Sequence, residues 1–148
     1  MPNRRILSLD ADGVLHPDPR SLPRQEVATL AWLDCLVPLL VGHPDVELLV
    51  HSSWRETYSA GDIQGMLHPL ESRFAGVAPP GEKGAAIAEW RRLNAPDAEL
   101  LAIDDDVELQ PQPGIEVLHC DPQRGLSDVG VQRAIKEWLD RTRPPAAA

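Results

Sequence analysis

Asp10 and Asp12 stand one residue apart in the run Leu9-Asp10-Ala11-Asp12-Gly13-Val14-Leu15. Two carboxylates this close repel, which raises a pKa unless a cation holds them. Such a pair alone is often a plain acidic turn, so its weight depends on the rest of the chain. Three further groups of matching chemistry follow in order: Ser52 with Ser53, then Lys83, then Asp104 with Asp105. Carboxylates from separate segments suit a hard cation such as Mg2+, which keeps several waters and is usually completed by a substrate phosphate. A hydroxyl and an ammonium supply the donors that phosphoryl oxygens need. Lys83 stands out because the chain favours arginine: of 14 basic residues only Lys83 and Lys136 are lysines. A compact ammonium serves as a point charge where the planar guanidinium fork does not fit.

These residues need elements to carry them. Ile6 to Leu9 is a short apolar run that breaks into turn chemistry at Gly13, the pattern of a buried strand. Val46 to Val50 is a second such run and leads into His51-Ser52-Ser53-Trp54-Arg55. Phe74 to Val77, Glu99 to Ile103 and Ile115 to His119 complete the strands. Between them lie a helix candidate from Arg24 to Val41, kinked or shortened at Pro38, and short helical stretches near Arg55–Tyr58 and Asp62–Leu67. A helix from Lys83 to Leu93 has Ala86, Ile87, Trp90 and Leu93 along one face. A terminal helix capped by Ser127 carries Val131, Ala134, Ile135, Trp138 and Leu139 at i, i+3, i+4, i+7, i+8 spacing. Val14 to Pro23 is proline-rich and reads as a flap. Alternating strands and helices predict one α/β domain over residues 1–142: a Rossmann-like three-layer sandwich around a mainly parallel sheet, with a frayed tail at 143–148. In such sheets ligands bind beyond the carboxyl ends of the strands, where the acidic pairs, the serines and, at a helix start, Lys83 all fall.

Composition narrows the classes. The chain has 148 residues, 43% hydrophobic and 25% charged, as in a soluble globular protein. A net charge of -9 argues against unspecific nucleic-acid binding, which needs a basic face. No apolar run approaches the ~20 residues of a membrane span, and no signal-peptide core precedes the first strand. Cys35 and Cys120 form no framework and read as reduced thiols of a cytoplasmic protein.

The four groups, in this order and at these places, resemble the haloacid dehalogenase (HAD) superfamily of Asp-nucleophile phosphatases. Asp10-Ala11-Asp12-Gly13-Val14-Leu15 is similar to its first motif, Ser52 to its second, Lys83 to its third, and Asp104-Asp105 to its fourth. The Ser-Ser-Trp-Arg run, with Asp121-Pro122 and Gly125-Leu126, further resembles a small bacterial branch related to phosphatase domains of RNA-repair proteins. The resemblance implies a Mg2+-dependent phosphatase. Asp10 would be the nucleophile that becomes an aspartyl-phosphate. Asp12 would act as general acid and base and lend its main-chain carbonyl to the metal. Asp104 and Asp105 would complete the metal site, and Ser52 and Lys83 would hold phosphoryl oxygens. Haloalkanoate dehalogenases lack an acid at the position of Asp12, so its presence favours phosphate. Both intervals where the superfamily inserts caps are short, which implies an open site. Its substrate would then be macromolecular, a nucleic-acid end or a phosphoprotein, or else a broad set of small esters; a homo-oligomeric partner is the other source of a roof.

Several residues have two readings. Ser53 competes with Ser52 as the phosphate-binding hydroxyl. Arg55 and His16 are candidate substrate contacts, Arg55 with a surface role as its equal. His51 reads as structural before catalytic, and Trp54 as packing before stacking on a substrate ring. Asp106 reads as a solvated acid, and Arg124 and Asp121 fall near the rim. A receiver domain also uses acids, a hydroxyl, a lysine and Mg2+, but in a different order. A non-enzymatic binding or regulatory domain with this fold is the remaining alternative.

Overall fold

Five short apolar runs become strands, and the three central ones bury side chains on both faces. The computed structural model describes residues 4–15 and 32–145. β1 (Arg5–Leu9) lies at the centre, with β2 (Val46–Val50) and β3 (Phe74–Val77) on one side and β4 (Glu99–Asp104) and β5 (Ile115–His119) on the other. All four neighbouring pairs are parallel, in the order β3-β2-β1-β4-β5. The chain thus moves outward from β1 to β3 and then returns across the sheet to β4. The reversal opens a crevice at the carboxyl ends of β1 and β4, the place where such sheets bind ligands.

Leu7, Leu9, Leu48, Val50, Leu101 and Ile103 face one apolar layer, which α3 (Val129–Arg141) covers with Val131, Ile135, Trp138 and Leu139. Ile6, Leu49, Leu100 and Ala102 face the other, covered by Ile87 and Trp90 of α2 (Lys83–Asn94). This is the expected α/β three-layer sandwich. A short helix α1 (Ala60–Met66) contributes Ile63 to the first layer.

Several expectations for the connections need correcting. Residues 24–31 of the Arg24–Val41 helix lie outside the described residues. Its remainder is two 3-10 turns, Leu33–Cys35 and Pro38–Leu40, because Pro38 at the start of the second lacks the N–H a continuous helix would use. The stretch after β2 begins as a 3-10 turn at Ser53–Glu56, and the following helix starts at Ala60. Asp128 caps α3 by accepting from the Gly130 N–H, whereas Ser127 closes the preceding 3-10 turn. Leu93 is 63% exposed, so the buried stripe of α2 ends at Trp90.

Candidate active site

Register decides which side chains meet. Leu9 stands opposite Val50 in β2 and Ile103 in β4. One step further, the Asp10 N–H donates to the Ile103 carbonyl and the His51 N–H to the Leu9 carbonyl. Asp10, His51 and Asp104 therefore share one level across three adjacent strands. Asp10 is 5% exposed and Asp104 fully buried. Oxygens of Asp10, Asp104 and Asp105 lie within 4.8 Å of one another.

Lys83 enters from the first residue of α2, which starts there because the Glu82 carboxylate caps the helix through the Gly84 and Ala85 N–H groups. Its Nζ lies 3.0 Å from Asp104 Oδ2 and 3.6 Å from Asp10 Oδ2. Burial opposes the ammonium, but Asp10 and Asp104 outweigh it and raise its pKa. Burial, with the Asp104 charge behind it, pushes Asp10 up to about 8 despite Lys83. Burial also acts upward on Asp104, yet the hydrogen bond and charge of His51, the Asp106 N–H and Lys83 together hold it below its ordinary value. Asp105 is raised, first by burial and then by its contact with Asp104. One lysine thus leaves the three carboxylates undercompensated, which is the condition a hard divalent cation with oxygen ligands would relieve. The donor set fits such an ion.

Gly13 makes the turn after the acidic pair possible. Its φ is +83°, and a Cβ there would stand 2.7 Å from Asp105 Oδ2. Asp12 lies outside the three-carboxylate cluster, and its Oδ1 accepts the Trp54 indole N–H at 3.2 Å. Ser52 is fully buried and its Oγ accepts the Trp54 backbone N–H at 3.1 Å. Ser53 is exposed and lines a cavity of about 370 Å3 together with Arg55, Lys83 and Asp106. Arg55 donates through Nη1 to the His51 carbonyl and through Nη2 to the Gly81 carbonyl at 2.7 Å, joining the end of β2 to the turn before α2. His16 and most of the Val14–Pro23 flap lie outside the described residues.

A family model describing the HAD domain in Swiss Army Knife RNA repair proteins matches residues 6–131, from β1 into α3. The chain belongs to this family of HAD domains. The HAD domain of effector protein Lem4 from Legionella pneumophila is a similar solved structure, with 15% identity and a TM-score of 0.52 over 96% of this chain and 97% of that one. At that identity the likeness is one of fold. No curated protein matches the chain. Among the described residues no helix is long and apolar enough to cross a membrane.

On this HAD frame, three contacts escape a reading of sequence alone. The Trp54 indole holds Asp12, and Trp54 in turn packs tilted against Tyr58 at 5.5 Å between ring centroids. The Cys120 thiol, just past β5, points its S–H at the Gly13 carbonyl at 3.4 Å, and burial beside the aspartates pushes it up to about 12. His51 is fully buried between Ser8 and Asp104, and burial lowers its pKa against the pull of Asp104. The acidic pair and the serine run mark the neighbourhood of these contacts; the partners are fixed only by register.

Proposed function

We propose that this HAD domain is a Mg2+-dependent phosphatase that hydrolyses phosphate monoesters through an aspartyl-phosphate on Asp10. The observation that carries the reading is the division of labour between its two first-motif acids. Asp10 is clustered with Asp104, Asp105 and Lys83, while Asp12 lies outside that cluster and accepts the Trp54 indole N–H.

The residues would act in two steps. An Asp10 carboxylate oxygen attacks phosphorus in line as the bond to the ester oxygen breaks, and Asp12 delivers a proton to that leaving oxygen. Asp12 then takes a proton from water, whose oxygen attacks the phosphorus, and the bond to Asp10 breaks to release phosphate. The Lys83 ammonium and the hydroxyl of Ser52, or of its exposed neighbour Ser53, orient phosphoryl oxygens, since phosphoryl transfer is chiefly positioning and charge stabilisation. Asp10, Asp104, Asp105 and the main-chain carbonyl of Asp12 would hold Mg2+, which when bound neutralises charge on the phosphoryl group. Arg55 keeps the end of β2 and the turn before Lys83 in register, and His16 remains a proposed substrate contact.

The substrate we favour is a phosphorylated nucleic-acid end. The family's occurrence in RNA repair proteins supports this class, as does the aromatic pair Trp54–Tyr58 beside Asp12, which suits stacking on a base. A cytoplasmic setting fits the two free thiols, Cys35 and Cys120. The test is phosphatase assay on a panel of esters that includes nucleotides and phosphorylated oligonucleotides. Exhaustive chelation should abolish activity and Mg2+ restore it. Mass spectrometry should find the phosphoryl adduct on Asp10, and Asp10→Asn should be inert while folded. Full activity after chelation would refute the metal, and an adduct on another residue would refute the nucleophile.

A further inference from the structure

Asp104 can serve a cation only if its carboxylate is aimed, and the group that aims it comes from the neighbouring strand. His51 Nε2 lies 2.8 Å from Asp104 Oδ2, and His51 Nδ1 lies 2.6 Å from Ser8 Oγ. All three side chains are 0% exposed. A carboxylate only accepts, so Nε2 carries hydrogen and donates to Asp104. Nδ1 has the Ser8 hydroxyl as its partner, which fixes the ring's rotation.

This trio stands in the layer otherwise built from Ile6, Leu49, Leu100 and Ala102. Period-2 alternation puts Ser8, His51 and Asp104 on that face of β1, β2 and β4. Burying a hydroxyl and an imidazole costs stability unless each is paired, and an apolar trio would fill the layer without that cost. Packing therefore does not account for them. Their hydrogen bonds form one chain, from Ser8 through His51 to an oxygen of Asp104. The other oxygen, Oδ1, accepts the Asp106 N–H at 2.9 Å, so both ends of the carboxylate are restrained.

We infer that His51, locked by Ser8, is the positioning residue that orients Asp104 for cation binding. The inference rests on the metal-holding reading of Asp10, Asp104 and Asp105. Outer hydrogen-bond partners of metal ligands typically contribute about 10–100-fold to metal affinity, and His51 is assigned a share of that size.

Mn2+ binding to the full chain, measured by electron paramagnetic resonance or calorimetry, tests this without an activity assay. Glutamine places an amide N–H near the position of Nε2, whereas asparagine is too short to reach Asp104. His51→Gln should bind Mn2+ within a few-fold of the parent, and His51→Asn should bind about 10–100-fold more weakly. His51→Met, which fills the space without an N–H, should bind as weakly as His51→Asn, whereas a role confined to packing would keep His51→Met near the parent and overturn the inference. Equal Mn2+ affinity in parent and His51→Asn overturns the inference and leaves the metal site standing. If the parent binds no Mn2+, the metal reading fails and the inference with it. Should His51→Asn not fold, Ser8→Ala removes one oxygen and is expected to weaken Mn2+ several-fold; unchanged affinity in that variant also overturns the inference.

Discussion

At Asp12 a hydrogen bond from Trp54 distinguishes two carboxylates that the sequence presents as equals. The Trp54 N–H donates to Asp12 Oδ1 at 3.2 Å, and an indole N–H can only donate, so it orients the acid and never competes for its proton. Under the proposed mechanism this matters in proportion to how badly the leaving oxygen needs a proton. Trp54→Phe keeps a ring and removes the donor. It should lower kcat/KM for an alkyl phosphate about tenfold, a modest part of what a general acid contributes. For p-nitrophenyl phosphate, whose leaving group is stable as an anion, the loss should be small. The ratio of the two specificity constants is the measurement, and equal losses would reduce Trp54 to packing. The spacing of Asp10, Asp12 and Gly13 is legible in the sequence because local turn chemistry dictates it. The hydrogen bonds to Asp104 are not: His51 pairs with Ser8 and Asp104 across 43 and 53 residues, and only strand register brings them together.

The strand ends and the strand beginnings of this sheet make opposite demands on stability. At the carboxyl end, the pKa of Asp10 is raised to about 8, so the folded state binds a proton that the unfolded chain releases in the ordinary carboxylate range. Its contribution is therefore complete below that range and is lost as pH rises through 8. Asp104, with a lowered pKa, acts the other way and loses its contribution on acidification. Metal-free protein should thus melt progressively lower as pH rises from about 6 to 9, and Mg2+ should raise Tm more at the alkaline end. Thermal melts with and without chelator check this, and a flat metal-free profile would contradict it. At the other end of β1, Arg5 is 1% exposed, makes two 2.8 Å contacts with Asp45 and donates to the Leu139 carbonyl at 2.8 Å. Asp45 is 39% exposed and can rehydrate, so Arg5→Leu should cost only about 2–3 kcal/mol in denaturant titration and leave kcat unchanged. Of these elements, Phe74–Val77 and Ile115–His119 are readable as strands to the residue, because turn residues bound their apolar runs. The 3-10 turn Ser53–Glu56 is not, since it depends on the Ser52 hydroxyl capping a segment too short to show a period.

Across the whole molecule, the segment from β2 to α2 holds a 3-10 turn, the seven residues of α1, a second turn and β3, with no folded insertion above the strand ends. On this side of the site, among the described residues, selectivity falls to the substrate's own surface and to the charge around the opening. That charge is acidic on balance: Glu56, Glu82, Asp106 and Glu108 outnumber Arg55 and Lys83 around the cavity, in a chain of net charge -9. A polyanionic substrate would therefore be repelled at long range and held at its terminal nucleotide, not along its backbone. Salt screens repulsion as well as attraction, with a Debye length of about 10 Å at 0.1 M. For a phosphorylated oligonucleotide, kcat/KM should accordingly stay level or rise between about 50 and 200 mM salt, where a protein gripping many phosphates loses roughly 10³–10⁵ in affinity. A small neutral-leaving-group ester should show no comparable trend. Rates measured over that range at fixed free Mg2+ separate the two cases. A steep fall with salt for the oligonucleotide would mean that the chain grips the backbone through a basic track, and recognition limited to the terminal nucleotide would have to be abandoned.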